Sequence, residues 1–356
     1  MPAFAESAAE PPLADSYHAL LRRAGADGRN KDAHCTPTVH ADHVLPAPDM
    51  AVSECELPMI DVGCLTTGGG SAEERAACAA AIAGAAEDWG FFQVVNHGVK
   101  QELLEAMRRE QTRLFRLPFE AKATAGLLNH SYRWGTPTAT SPAQLSWSEA
   151  FHVPLAAVSG DPPCNYGQLT TLRDVTQEVA TAMSKLANTL ARVLAERLGH
   201  AGERFPEGCD ERTCFLRLNR YPPCPLSPDA FGLVPHTDSD FLTVLCQDQV
   251  GGLQLMKGSR WLAVKPIPNA LIVNIGDLFQ AWSNNRYRSV EHKVVTNATT
   301  ERYSVAYFLC PSYDSPIGAC EEPSPYRTFT FGEYRRRVQE DVKKTGKKVG
   351  LPGFLL

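Results

Sequence analysis

Hydrophobic and polar positions change rhythm once along this chain, near residue 212. Before that point apolar residues recur at i, i+3 and i+4 over residues 103–115 and 175–198, which predicts two long amphipathic helices. Leu57-Pro58-Met59-Ile60-Asp61 reads as a short strand. Ser71-Ala72-Glu73-Glu74 then opens a helix, with Ser71 as its N-cap and acids in its first turn. That helix runs to Trp89, Gly90 stops it, and Phe91-Phe92-Gln93-Val94-Val95 follows as a buried strand. Residues 13–23 make a short helix, whereas residues 25–49 are polar and broken by prolines, a flexible lead-in.

After residue 212 short runs rich in Val, Leu and aromatics are separated by Pro and Gly. They fall at residues 215–221, 242–247, 253–256, 261–265, 270–275 and 303–309. Many short strands at close spacing predict a sandwich or jelly roll. Residues 331–348 read as a helix with a strongly basic surface, taken as a solvated face. The expected organisation is a lead-in over 1–56, a helical region over 57–200, a jelly-roll core over 201–311 and a helical tail over 312–356. The fold class is thus a mainly β core with surrounding helices.

Composition narrows the classes. The chain has 356 residues, of which 44% are hydrophobic and 21% charged, values of a globular protein. A net charge of -5 gives no broad basic field for nucleic acid or an anionic membrane, so neither is expected as a partner. The first sixteen residues carry Glu6, Glu10 and Asp15 and lack an apolar h-region, unlike a secretory signal. Eleven cysteines are scattered without C-x-x-C pairing, as in a reduced cytoplasmic protein. The sequence sets no oligomeric state.

The chemistry sits in the strand-rich half. Pro235-His236-Thr237-Asp238 is answered by Val290-Glu291-His292. Two imidazoles and one carboxylate make a facial triad that leaves three sites of an octahedral iron open. In an extended segment His236 and Asp238 point to one side, and a jelly roll can bring His292 to them from a distant strand. With ten histidines in the chain, H-x-D alone is weak; a second match, His40-Ala41-Asp42, lies in the lead-in and is read as chance. Ten residues beyond His292 comes the chain's one R-x-S, Arg302-Tyr303-Ser304. Even-numbered side chains from Arg302 to Cys310 share one strand face, so Arg302 and Ser304 point inward with Ala306, Phe308 and Cys310. An inward guanidinium needs an anion, and no acid on nearby strands supplies it; a dicarboxylate co-substrate would. Asn219 and Tyr221, in Asn219-Arg220-Tyr221-Pro222-Pro223-Cys224-Pro225, alternate onto one face, and the Tyr221 hydroxyl can complete that cradle.

H-x-D, His and R-x-S, preceded by N-x-Y-P-P-C-P, resemble the plant 2-oxoglutarate-dependent dioxygenases. Leu57-Pro58-Met59-Ile60-Asp61, the run from Trp89 to Val99, and Gly251-Gly252-Leu253-Gln254 agree with that family, so the resemblance covers residues 57–354. It implies a double-stranded β-helix with an N-terminal helical region, and Fe(2+), 2-oxoglutarate and O2 as cofactor and co-substrates. It also implies that His97 is structural. Tyr132-Arg133-Trp134-Gly135, with Leu145-Ser146-Trp147-Ser148-Glu149-Ala150-Phe151-His152, resembles the gibberellin 2-oxidases, in particular the class acting on C20 gibberellins. By that analogy the substrate is a small diterpenoid, hydroxylated at C-2 on the β face. Trp134, Trp147 and Phe151 then form a pocket wall opposite Phe308, and Arg133 is a candidate for the substrate carboxylate. Gibberellin 20- or 3-oxidation and flavonoid oxidation share the triad and R-x-S and stay open at this stage. A non-catalytic jelly-roll binding protein predicts a damaged triad, and a zinc hydrolase predicts three histidines or H-E-x-x-H; neither pattern is present.

Overall fold

The structure, a computed structural model, describes residues 9–29, 52–159, 164–200, 209, 212–227 and 230–356. Two sheets face each other. The larger has eight strands in the order Met59–Asp61, Phe91–Val95, Leu271–Ile275, Leu242–Gln247, Arg302–Leu309, Phe215–Tyr221, Glu149–Pro154 and Tyr132–Trp134. The smaller has five: Glu54–Cys55, Arg260–Val264, Leu253–Lys257, His292–Val295 and Phe231–His236. The expected jelly roll with attached helices is therefore borne out, and strands from before residue 200 extend its larger sheet at both edges.

Local signals act as the pattern requires. Ser71 and Glu74 make a reciprocal capping box at the start of the helix Ala72–Asp88. Gly90 has a φ of 63°, and a Cβ there would collide with the Arg288 carbonyl oxygen, so the turn between that helix and the buried strand needs glycine. The helix Thr170–Arg197 buries one stripe, including Leu172, Val179, Met183, Leu186 and Leu190, beneath the larger sheet. No helix among the described residues is long and apolar enough to cross a membrane.

The lead-in differs from expectation. Its helix spans Leu13–Arg29, past the expected end at residue 23, since single glycines cost a helix only about 1 kcal/mol and no proline intervenes. Leu13, Tyr17 and Leu20 are buried against Leu145, Trp147 and Cys224, so this part of the lead-in is docked on the barrel and not loose. Glu10 reaches Arg220 at 3.0 Å, and the Ala9 carbonyl accepts from Lys122 at 2.7 Å. His40-Ala41-Asp42 and the remainder of that segment lie outside the described residues.

Candidate active site

His236 closes the strand Phe231–His236 and His292 opens the strand His292–Val295; in the antiparallel pairing of these strands the two histidines are direct partners. Each ring places Nδ1 on a backbone carbonyl, Val234 O at 2.8 Å for His236 and Val290 O at 3.0 Å for His292. A carbonyl can only accept, so Nδ1 carries the proton and each Nε2 keeps its lone pair. Those Nε2 atoms lie 3.6 and 3.7 Å from Asp238 Oδ1. The other oxygen, Oδ2, accepts from Thr243 Oγ1 at 2.6 Å and Asn274 Nδ2 at 2.8 Å, which fixes the carboxylate plane.

Burial, and then the neighbouring His292, push His236 down to about 3, so the ring is neutral, the form that binds a metal. Burial would raise Asp238, but His292, His236 and the hydrogen bonds from Thr243 and Asn274 outweigh it and leave it at about 2. Two imidazole lone pairs therefore face an ionised oxygen, with one ligand atom from each residue and all within 4.8 Å of one another. These three donors repel one another unless a cation sits between them, and two imidazoles with one carboxylate suit iron(II).

A further carboxylate holds this loop in place. Asp277 N donates to Asp238 O at 2.9 Å. Asp277 Oδ2 accepts from Thr237 Oγ1 at 3.1 Å, from the Tyr334 hydroxyl and from Lys348 Nζ at 2.7 Å, while Oδ1 accepts from Ser289 Oγ at 2.6 Å. Lys348 also donates to the Thr237 carbonyl at 2.8 Å. One buried acid thus ties the metal loop to the chain before His292 and to the tail. Sequence reasoning missed it, because Asp277 reads as an ordinary first-turn acid of the short helix Asp277–Trp282.

The inward face of the strand Arg302–Leu309 follows its alternation: Arg302, Ser304, Ala306, Phe308 and Cys310 all line one cavity of about 370 Å³, together with the metal donors. The neighbouring strand brings Tyr221 opposite Arg302 and Asn219 opposite Ser304. Asn219 Nδ2 donates to Ser304 Oγ at 3.2 Å, and the Arg302 guanidinium lies over the Tyr221 ring at 4.9 Å. Arg302 is 3% exposed; its Nη2 donates to Gln247 Oε1 at 2.7 Å, but Nε and Nη1 are buried without a partner. Unpaired buried N–H groups beside three metal donors fit the distal carboxylate of a dicarboxylate chelated to that metal. His97, with Nε2 3.2 Å from Asn269 O and Nδ1 accepting from Val99 N, is taken up by the backbone, in keeping with a structural role.

The expected substrate wall needs correction. Phe308 lines the cavity, stacked on Phe215 at 4.4 Å, and Phe215 stacks in turn on His152 at 5.6 Å. Phe151 points the other way, fully buried against Phe115 and Tyr132, because neighbours on a strand face opposite sides. Trp147 packs with the docked lead-in helix, and Trp134 meets Phe119 edge-on. Arg133 is exposed and donates to the carbonyls of His130 and Tyr132. None of these four lines the cavity. Its wall is completed instead by His152, Phe215 and Arg217 and, from the tail helix Phe331–Thr345, by Phe331, Arg335, Val338 and Val342. The period-2 argument that found Asn219 and Tyr221 applies equally to Arg217 and Phe215. The 335, 338, 342 spacing is a helical stripe that the basic surface concealed.

Comparison with known proteins agrees with this geometry. Residues 212–311 match the model of the 2OG-Fe(II) oxygenase superfamily, and residues 57–177 match that of the non-haem dioxygenase in morphine synthesis N-terminal region. Gibberellin 2-beta-dioxygenase 6 of Oryza sativa subsp. japonica is 66% identical over 99% of this chain and 98% of its own length. The chain belongs to the 2OG-Fe(II) oxygenase superfamily. It is a 2-oxoglutarate-dependent dioxygenase, with Fe(2+), 2-oxoglutarate and O2 as the cofactor and co-substrates of that superfamily. Gibberellin 2-beta-dioxygenase 8 of Arabidopsis thaliana is 56% identical over 85% of this chain and 88% of its own. Among solved 2OG-Fe(II) oxygenases, the structure of JOX2 in complex with 2OG, Fe, and JA superposes with a TM-score of 0.73 at 33% identity, covering 86% of this chain and 90% of that one. The dioxygenase for auxin oxidation in rice gives 0.68 at 32% identity, covering 84% and 100%.

Proposed function

We propose that this oxygenase hydroxylates gibberellins at C-2 on the β face, inactivating the hormone, and that C20 gibberellins are its preferred substrates. Four relatives at 66, 56, 51 and 43% identity carry the name gibberellin 2-beta-dioxygenase, whereas jasmonate-induced oxygenase 2 of Arabidopsis thaliana and flavanone 3-dioxygenase 2 of rice stand at 36 and 33%. The observation that carries the reading from this chain's own residues is the cavity. Its aromatic and aliphatic walls, Phe91, Phe215, Leu233, Phe308 and Val338, are interrupted by the cations Arg217 and Arg335, with no acid beyond Asp238 and Asp240 of the metal loop. A rigid apolar skeleton bearing carboxylate suits that lining.

In this reading His236, Asp238 and His292 hold the iron. Arg302 and Ser304 bind the distal carboxylate of 2-oxoglutarate, Asn219 orients Ser304, and Tyr221 supports the guanidinium from below. Bound iron supplies the oxidising chemistry that converts 2-oxoglutarate and O2 to succinate, carbon dioxide and a hydroxyl on the substrate. Phe215 and Phe308 give a flat surface for the diterpenoid, and the tail helix excludes water from its far side. A cytoplasmic location fits cysteines that are scattered along the chain with no C-x-x-C pair. Mass spectrometry of products from C20 and C19 gibberellins, with iron and 2-oxoglutarate, tests the assignment. A 2β-hydroxylated product formed faster from the C20 compounds is expected. Oxidation at another carbon, or equal or faster consumption of C19 compounds, would refute the position or the preference respectively.

A further inference from the structure

Arg217 and Arg335 line one cavity from two walls. Arg217 lies mid-strand in Phe215–Tyr221, and Arg335 lies one turn into the tail helix Phe331–Thr345. Arg217 Nε donates to Asn219 Oδ1 at 2.7 Å, and Asn219 donates onward to Ser304. That bond orients the guanidinium while engaging only Nε. Arg335 commits Nη1 to the Tyr313 hydroxyl at 3.0 Å. Neither arginine has an ion-pair partner among the described residues, and the two acids lining the cavity, Asp238 and Asp240, are both held by Thr243 at the metal loop. Burial and the charges of Arg217, Arg133 and Arg335 push His152 down to about 3, so it adds no further positive charge at neutral pH. Arg217 is tied through Asn219 to Ser304 of the co-substrate cradle, whereas Arg335 is tied to Tyr313 beside the tail helix. Both arginines keep guanidinium nitrogens open to a largely apolar cavity, and two such groups on separate walls suit two anions.

We propose that the arginines are two separate carboxylate anchors, and that Arg217 reads the carboxylate by which a C20 gibberellin differs from a C19 one. The inference rests on the gibberellin reading above. A C19 gibberellin has one carboxyl closed as the γ-lactone, a neutral ester. A C20 gibberellin lacks the lactone, so that carboxyl stays ionised, on the ring that carries C-2. Its skeleton brings two anions, one beside the metal for Arg217 and one on the far side for Arg335. Substrate selection then depends on charge as well as shape. Replacing a charge-assisted fork by a contact to a neutral ester costs about tenfold to a hundredfold in relative turnover.

The test competes a C20 gibberellin against a C19 γ-lactone in one reaction, for wild type, Arg217→Met, Arg217→Lys and Arg335→Met. A further arm gives wild type the C20 compound methyl-esterified at the carboxyl on the ring that bears C-2. Arg217→Met should cost the C20 substrate at least tenfold more than the C19 one. Arg217→Lys should restore part of the difference, and Arg335→Met should cost both substrates alike. The ester should lose about tenfold or more relative to the free acid on wild type, a result that stands even if the Arg217→Met chain does not fold. Equal losses for both substrates in Arg217→Met, with the ester turned over as fast as the acid, would show that the arginines share one carboxylate and overturn the proposal. That outcome leaves gibberellin oxidation by wild type intact, whereas a wild type that consumes neither gibberellin overturns the functional reading itself.

Discussion

Replacing Arg302 by Met separates what that residue does for the fold from what it does for the co-substrate. Its side chain is 3% exposed, with one nitrogen bonded to Gln247 and two, Nε and Nη1, buried without partners among the described residues. Each buried unsatisfied donor costs about 1–3 kcal/mol, while the Gln247 hydrogen bond returns about 1 kcal/mol. Methionine removes both penalties, keeps a flexible apolar chain over Tyr221, and leaves one Gln247 oxygen unpaired. The ligand-free variant should therefore be at least as stable as wild type. The co-substrate reverses the balance. A bidentate, charge-assisted contact is worth roughly 3 kcal/mol or more, so 2-oxoglutarate should bind about a hundredfold more weakly. Thermal denaturation of the manganese(II)-loaded protein reads both quantities. At about 100 times Kd the ligand adds about 2.7 kcal/mol to wild type, a rise of several degrees, and Arg302→Met should show almost none of it. Arg302→Lys keeps the charge and loses the fork, so the KM for 2-oxoglutarate should rise about tenfold with less effect on gibberellin. If the 2-oxoglutarate-dependent rise survives in Arg302→Met, another cation holds the distal carboxylate. If the ligand-free melting temperature collapses, the arginine is a structural residue and the reasoning fails.

Three other outcomes follow from the geometry. His236→Ala or Asp238→Ala should abolish substrate-dependent succinate formation and manganese(II) binding, whereas His40→Ala should change neither; near-normal turnover in either of the first two variants would remove the triad assignment. Lys348→Met unties the tail from Thr237 and Asp277, so manganese(II) affinity should fall about tenfold, as when a group supporting metal ligands is lost, and an unchanged titration would show that the tail does not position the loop. Lys122→Met leaves Glu149 buried with one cation fewer, since Lys122 Nζ lies 2.6 Å from Glu149 Oε2 and both side chains are fully buried; denaturant titration should show a loss of about 3–5 kcal/mol, and a loss below 1 kcal/mol would contradict it.

What the sequence disclosed and what it hid depend on whether a strand has one buried face or two. From Arg302 to Cys310 the inward set opens with a cation and a serine while the outward set is Tyr303, Val305, Tyr307 and Leu309, so parity is legible and Arg302, Ser304 and Phe308 lie where alternation puts them. From Ser146 to Val153 every position but His152 is buried, and of these residues His152 alone lines the cavity. Hydrophobicity then carries no parity signal, and the sequence favours the larger apolar aromatic, Phe151, over its neighbour His152. The tail failed for another reason. Its basic residues are real surface, but Phe331, Val338 and Val342 form a stripe whose partner is a cavity built some hundred residues earlier, which no local window reveals. Asp277 is hidden in the same way, since its partners Thr237, Ser289, Tyr334 and Lys348 meet only in the folded chain.

The strand Phe215–Tyr221 shows how the fold turns charge into selectivity. Arg217 and Arg220 are three residues apart and therefore on opposite faces. Arg220 faces the protein, where each of its nitrogens meets a carboxylate: Nε with Glu301 at 3.0 Å, Nη1 with Glu149 at 2.8 Å and Nη2 with Glu10 at 3.0 Å. Arg217 faces the cavity and meets an asparagine oxygen and no acid. The same chain that supplies three carboxylates to one guanidinium supplies none to Arg217, Arg302 or Arg335. Arg302 is buried and carries the cost of an unpaired charge, while Arg217 and Arg335 leave guanidinium nitrogens open to the cavity; in the proposed reading this lining favours a dicarboxylate co-substrate and a carboxylated substrate over neutral molecules of the same shape.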